Sequence, residues 1–383
     1  MISALPPLSL YVHLPWCVKK CPYCDFNSHE LREQAPVDNY IDALLADLEA
    51  DLPLVWGRSL SSIFIGGGTP SLFPPAAIER LLGAVAARMS LRPAAEITME
   101  ANPGALESGP PADYCQAGVN RLSLGVQSFS DESLRRLGRV HDGATAARAV
   151  EQAAKAGFAS FNLDLMYGLP GQSLEEMRAD LRQAIALAPD HISHYQLTLE
   201  PNTAFHHRPP PQMPDDELAW EMQSHAHGAL AAGGYRQYEV SAFAKDGLAS
   251  QHNLNYWRFG DYLGLGAGAH GKITNGAEGI VERTVKQRHP KRYLSDATKT
   301  IERKTLSASD LVFEFMLGAL RLREGFSLTD FDRRTGLQRS ELEPGLSEAL
   351  SKGLMSQEND YLSPTDLGFR YLNDLQALFL DDE

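Results

Sequence analysis

Three thiols fall within eight positions of the segment Tyr11–His29, YVHLPWCVKKCPYCDFNSH, setting Cys17, Cys21 and Cys24 in a C-x3-C-x2-C spacing. Thiolates are the soft ligands an iron–sulfur cluster takes. Three of them hold only three irons of a four-iron cluster, so the fourth keeps a position that an amino acid's amine and carboxylate could chelate. A zinc knuckle is the other chemistry open to this spacing, with His13 or His29 completing a closed tetrahedron. The fourth cysteine, Cys115, stands alone. So few cysteines do not make a disulfide scaffold, and the pattern points to a reducing compartment and a bound metal.

Other residues could hold a ligand. Ile65-Gly66-Gly67-Gly68-Thr69-Pro70 follows a β-rich run, and its glycines would let backbone amides approach an amine and carboxylate without Cβ obstruction. Glu100, in EITMEANP, ends another such run; a carboxylate there could accept both hydroxyls of a ribose. His252-Asn253-Leu254-Asn255-Tyr256-Trp257 puts an imidazole beside two aromatics. Such a histidine serves either as packed core or as an axial iron ligand with aromatics stacked on a porphyrin. His270, in GLGAGAHG, has the same two readings, and His206 and His207 read as solvated loop residues.

Parallel strands would have to position these groups. From Leu8 to about Ala269 short β-rich runs alternate with Gly or Pro turns and amphipathic stretches of helical period. The strands expected are Leu8–His13, Ser61–Ile65, Glu96–Glu100, Arg121–Val126, Ser160–Leu165 and His191–Leu197, with helices such as Asp38–Asp51, Ile78–Met89 and Leu174–Leu187 between them. Six βα units predict an α/β fold, a partial open (β/α)6 barrel. Glu100, Gln127, Asp164 and the glycine turn fall toward the carboxyl ends of these runs, where such barrels carry their chemistry. His206–Pro214 reads as an extended loop before a helix Asp216–Ala232. After about Thr305 the order becomes three helices, a β pair around Met355 and Leu362, and a last helix Thr365–Phe379, as in a winged helix. The expected organisation is therefore a barrel over 1–300 and a small, mainly helical, winged-helix-like domain over 305–383.

The chain has 383 residues and a formal net charge of −14. Residues 305–383 carry 7 Lys or Arg against 15 Asp or Glu, a difference of −8. That balance would repel a polyanion, so the winged-helix order is read as a packing or docking device and nucleic acid is excluded as the main partner. No run of about 18 apolar residues predicts a transmembrane segment, and the N-terminus lacks a signal-peptide pattern. A cytoplasmic protein is expected.

The C-x3-C-x2-C spacing resembles that of the radical-SAM superfamily. The surrounding YVHLPWC…CPYCDFNSH is similar to the coproporphyrinogen-dehydrogenase-like family, and most to its heme-chaperone branch, through nearly the whole chain. The resemblance implies a radical-SAM barrel with a [4Fe-4S] cluster on Cys17, Cys21 and Cys24. It implies S-adenosylmethionine (SAM) against Gly67, Gly68 and Thr69, with Gln127, Arg139 and Asp164 at further SAM-contacting positions beside Glu100. Tyr11, Tyr23 and Thr198 are implied through backbone contacts. Related dehydrogenases accommodate two SAM molecules, so these residues need not all serve one.

Within the family the resemblance favours a heme carrier over an enzyme that oxidatively decarboxylates coproporphyrinogen III. The dehydrogenases have a fourth cysteine two residues after the third, where this chain has Phe26, and a long extension where only ten residues precede Tyr11. The H-N-x-x-Y-W match at His252 implies a heme site. The partners implied are heme and apo-proteins such as respiratory-chain cytochromes, reached in the cytoplasm or at the inner face of the membrane.

Overall fold

The computed structural model describes residues 4–104 and 109–380. β1 (Leu8–Leu14) is followed by a two-residue ladder of β2 (Trp16–Cys17) and β3 (His29–Glu30), which pins both ends of the cysteine loop. Then come β4 (Leu60–Gly67), β5 (Leu91–Ala101), β6 (Arg121–Gln127), β7 (Ser160–Tyr167), β8 (His191–Gln196), β9 (Arg236–Glu239), β10 (Ala242–Ala244), β11 (Asp261–Leu265), β12 (His270–Asn275), β13 (Ile280–Lys286) and β14 (Thr300–Thr305). With β1, these eleven form one open twelve-stranded sheet in the order β14-β13-β12-β11-β1-β4-β5-β6-β7-β8-β10-β9.

The parallel part runs from β11 through β8. Its strands are buried on both faces, as parallel strands covered by helices must be: Leu10, Val12, Ile63, Ile65, Leu122, Leu124, Leu163 and Ile192 are inaccessible to solvent or nearly so. Helices Val37–Asp51, Pro75–Arg88, Gly143–Lys155, Leu174–Ala186 and Asp216–Ala232 cover it. The helix over Leu174–Ala186 is started by a capping box, Ser173 with Glu176.

All six expected strands are present, but the sheet is larger than six βα units. β11 adds a seventh parallel strand beside β1, and antiparallel strands extend both edges. The segment expected to be an extended loop from His206 begins with a single helical turn, Ala204–His207, capped by Thr203.

In the C-terminal region, helices Ala308–Ala319, Leu328–Thr335 and Gly345–Ser351 pack with a sheet of β15 (Phe326–Ser327), β16 (Met355–Glu358) and β17 (Tyr361–Pro364), in the order β15-β17-β16. A third strand thus joins the expected β pair. The expected last helix is two, Asp366–Arg370 and Leu372–Ala377, separated where Tyr371 leaves the helical region. Phe315, Phe331, Leu346, Leu362 and Leu375 form a core that also takes in Phe259, just before β11, and Val281 of β13 in the large sheet. The acidic tail 381–383, counted in the C-terminal charge, lies outside the described residues.

Candidate cluster and cofactor site

The cysteine loop leaves β1 at the carboxyl edge of the sheet and is tied down locally. Ser28 N–H donates to Phe26 O, His29 N–H to Pro15 O and Leu31 N–H to Cys17 O. Asn27 anchors it over a long sequence distance, its Nδ2 donating to Ala267 O and Arg288 O at 2.8 Å each while its carbonyl bonds His13 Nε2 at 2.9 Å. Cys17, Cys21 and Cys24 are half-buried and free, and all three line one cavity of about 430 Å³.

Burial pushes the Cys17 and Cys24 thiols above their ordinary range; a bound cation would reverse that by favouring the thiolates. Among the described residues no three His, Cys, Asp or Glu groups converge on a point where a single ion could sit. His13, one candidate fourth ligand for zinc, has both ring nitrogens engaged, by Tyr11 OH and Asn27 O.

The same cavity gathers nearly every residue the sequence nominated: Tyr23, Gly67, Gly68, Thr69, Glu100, Gln127, Arg139, Asp164 and Thr198. Arg139 Nη1 points at Cys21 Sγ (3.7 Å) and Nη2 donates to Gly125 O (2.7 Å). Gln127 has a left-handed backbone (φ 67°) and accepts from Tyr195 OH at 2.8 Å. Asp164 accepts from Asn162 Nδ2 at 2.7 Å. Thr198, at the mouth, donates to Glu200. Tyr11 lies apart from this group, lining a neighbouring cavity instead.

The glycine turn works differently from the sequence expectation. Its amides are already used: Gly67 N–H donates to Glu100 Oε2, Gly68 N–H to Leu14 O and Thr69 N–H to Trp16 O. Its missing side chains make room for the neighbouring segments of the protein itself. A Cβ on Gly67 (φ 114°) would come 2.7 Å from the His13 ring, and one on Gly68 2.5 Å from Trp16 O. The turn therefore presses against the cysteine loop and holds it in register.

Glu100 and Asp164 place two half-buried carboxylates at the floor. Burial foremost, then Asp164, pushes the Glu100 carboxyl up to about 8, against the Gly67 amide. Burial likewise raises Asp164. A ligand carrying an ammonium or sulfonium charge would stabilise both as anions.

His252 is elsewhere. It is 1% exposed, Nδ1 bonds Ser62 Oγ and Nε2 bonds Tyr256 OH, both at 2.9 Å, and its ring packs on Phe64. It lines neither cavity, so the expected axial ligand has no nitrogen free in this arrangement. The surrounding motif fastens the helix Gln251–Trp257 to the sheet: the Gln251 and His252 amides donate to Glu96, and Asn255 Nδ2 reaches Ser9 Oγ and Asp261 O. Tyr256, one of the two aromatics the motif offers for stacking on a porphyrin, faces the neighbouring cavity.

An open parallel sheet carrying a three-cysteine loop and an acidic cavity at its carboxyl edge defines a radical-SAM protein, and residues 11–184 match the family model of the Radical SAM superfamily. Residues 306–371 match the HemN C-terminal domain. The chain belongs to the HemW family. It is 52% identical to the "Heme chaperone HemW" of Escherichia coli over 98% of this chain and 99% of that protein. It is 48% identical to the one of Haemophilus influenzae over 99% of each. Among solved structures, the coproporphyrinogen III oxidase HemN of Escherichia coli superposes with a TM-score of 0.81 at 24% identity, over 98% of this chain and 90% of that one; this likeness shows the fold.

Proposed function

We propose that the protein is a heme chaperone: it binds heme, a [4Fe-4S] cluster on Cys17, Cys21 and Cys24, and SAM, and transfers heme to apo-proteins such as respiratory-chain cytochromes. The observation that carries this reading is near-full-length similarity to proteins named heme chaperones, at 52% identity for one of them. Phe26, exposed on the rim of the cluster cavity where the dehydrogenases carry their fourth cysteine, supports it over the decarboxylase alternative.

When bound, the cluster would supply an open iron for an amino-acid chelate and a one-electron reductant. The chain's residues do the positioning. Arg139 sets a positive charge beside Cys21, the glycine turn keeps the cysteine loop at its distance, and Glu100 and Asp164 make the cavity floor favourable to a cation. Gln127, held by Tyr195, and Thr198 present polar atoms to the rest of the nucleoside, with Tyr23 on the wall. No helix among the described residues is long and apolar enough to cross a membrane; transfer in the cytoplasm, at the inner membrane face, would meet respiratory acceptors.

Anaerobic reconstitution, heme titration and transfer to an apo-cytochrome test the reading. Heme uptake followed by gain of the acceptor's spectrum is expected, with no loss of carbon dioxide from coproporphyrinogen III. Decarboxylation without heme transfer would replace it with the enzyme reading.

A further inference from the structure

Asp164 reaches the cofactor cavity bonded only to neutral donors among the described residues, Asn162 Nδ2 at 2.7 Å and Ser123 Oγ at 3.4 Å. Asn162 is 2% exposed, lines neither cavity, and has its amide fully used. Nδ2 also donates to Ser123 Oγ at 2.8 Å, while Oδ1 accepts from Ser193 Oγ at 3.1 Å and lies 2.6 Å from His191 Nδ1. The parallel register of β7 with β8 sets Asn162 opposite His191. His191, 1% exposed, continues the chain: Nε2 lies 2.8 Å from Tyr238 OH of β9, which lies 3.3 Å from the amide of Ser250, the N-cap of the helix Gln251–Trp257.

The direction of donation along this chain follows from its two ends. An ionised Asp164 can only accept, so Asn162 turns its NH2 to the carboxylate and its carbonyl to His191. His191 Nδ1 must then carry the ring hydrogen. Burial, and then Arg121, keep the ring from taking a second proton, so Nε2 accepts from the Tyr238 hydroxyl, whose oxygen accepts the Ser250 N–H. That amide is fixed by the backbone and cannot turn round. Were Asn162 reversed, its carbonyl oxygen would face the carboxylate.

Resting on the reading of Asp164 as a SAM contact, we infer that His191 is a positioning residue for SAM binding: it holds the Asn162 amide with its donor toward Asp164, and Tyr238 holds His191. Burial raises the proton affinity of Asp164, and the Asn162 donor is the foremost of the groups opposing it, ahead of Ser193, Arg121 and Ser123. A donor held on a carboxylate favours its anion, the form that attracts a sulfonium or ammonium. The helix that carries His252 thus acts on the cavity floor through a chain of side chains that touch no ligand.

The test is SAM titration of the full chain with its cluster reconstituted anaerobically, comparing wild type, His191→Leu, His191→Asn and Tyr238→Phe, each alone and combined with Asp164→Asn. His191→Leu is expected to weaken SAM binding by about tenfold, with iron and sulfide content at the wild-type level. His191→Asn, whose amide nitrogen can stand where Nδ1 stood, should restore most of that loss. Tyr238→Phe removes only a hydroxyl and should weaken binding about two- to threefold, which keeps the test open if leucine is not accepted in the core. In the Asp164→Asn background each of these effects should shrink to within about twofold, because the group they act through is gone. Losses of equal size in both backgrounds, or wild-type affinity in His191→Leu and Tyr238→Phe, overturn the role of His191 while leaving the SAM site standing. A wild type that keeps its cluster and takes no SAM overturns both.

Discussion

The two cavities flanking the cysteine loop differ in how completely the protein has satisfied its own polar groups. Around the first, the turn amides, Gln127 and Asp164 have partners within the chain, and Arg139 engages both Nη atoms while its buried Nε stays without a partner, above an acidic floor. Around the second, Lys20 Nζ donates to Phe26 O while the His270 ring makes no hydrogen bond among the described residues, and three tyrosines stand in the wall. A preorganised site holds a resident cofactor tightly.

If the first cavity is built around the cluster, Cys17→Ser will remove the cluster and SAM uptake together, read as lost iron, sulfide and visible absorption. The largest effect on the fold itself is expected from His252→Ala, which leaves Ser62 Oγ and Tyr256 OH unpaired in the core and opens a void, destabilising by roughly 3 kcal/mol in denaturant melts. A variant of unchanged stability would mean His252 is not the structural member of the pair.

The pH response of the first cavity sharpens the comparison. Glu100 titrates near 8 when folded instead of about 4.5, so between those values the native state holds a proton the unfolded chain has released. The cofactor-free protein therefore loses stability as pH rises through that window. For a cationic ligand the sign reverses. From pH 7 to 9 the ionised fraction grows about tenfold, and SAM affinity should rise toward that factor, levelling in Glu100→Gln. Asp164 shares the floor, so Asp164→Asn should lower the pH at which the rise occurs. The smallest effect is expected from Asn27→Ala, which removes two side-chain hydrogen bonds between the cysteine loop and the segments around Ala267 and Arg288. About 1–2 kcal/mol of stability should go, with faster cluster loss in air.

The parallel strands were legible because strands buried on both faces read as apolar runs, and the cysteine, glycine-turn and Glu100 motifs lie within or beside them. The edge strands were not: β14, TIERKT, is almost wholly exposed, with no alternation to betray it. The partners of the glycine-turn amides were not legible because the acceptors of Gly68 and Thr69, Leu14 O and Trp16 O, come from another part of the chain. The second cavity was out of reach for the same reason, since Tyr11, Asn27, Tyr256, His270 and Arg288 meet only through the pairing of β1 with β11. Asn27 was visible in CDFNSH, but nothing local marks a side chain whose partners lie 240 and 261 residues away.

Metal and sulfide analysis of anaerobically reconstituted protein, followed by titration with SAM under electron paramagnetic resonance, addresses the central assignment most directly. About four irons and four sulfides per chain, with a reduced-cluster signal that changes on adding SAM and is lost in Cys17→Ser, are predicted. Stoichiometric zinc without sulfide, or a signal indifferent to SAM, would contradict it.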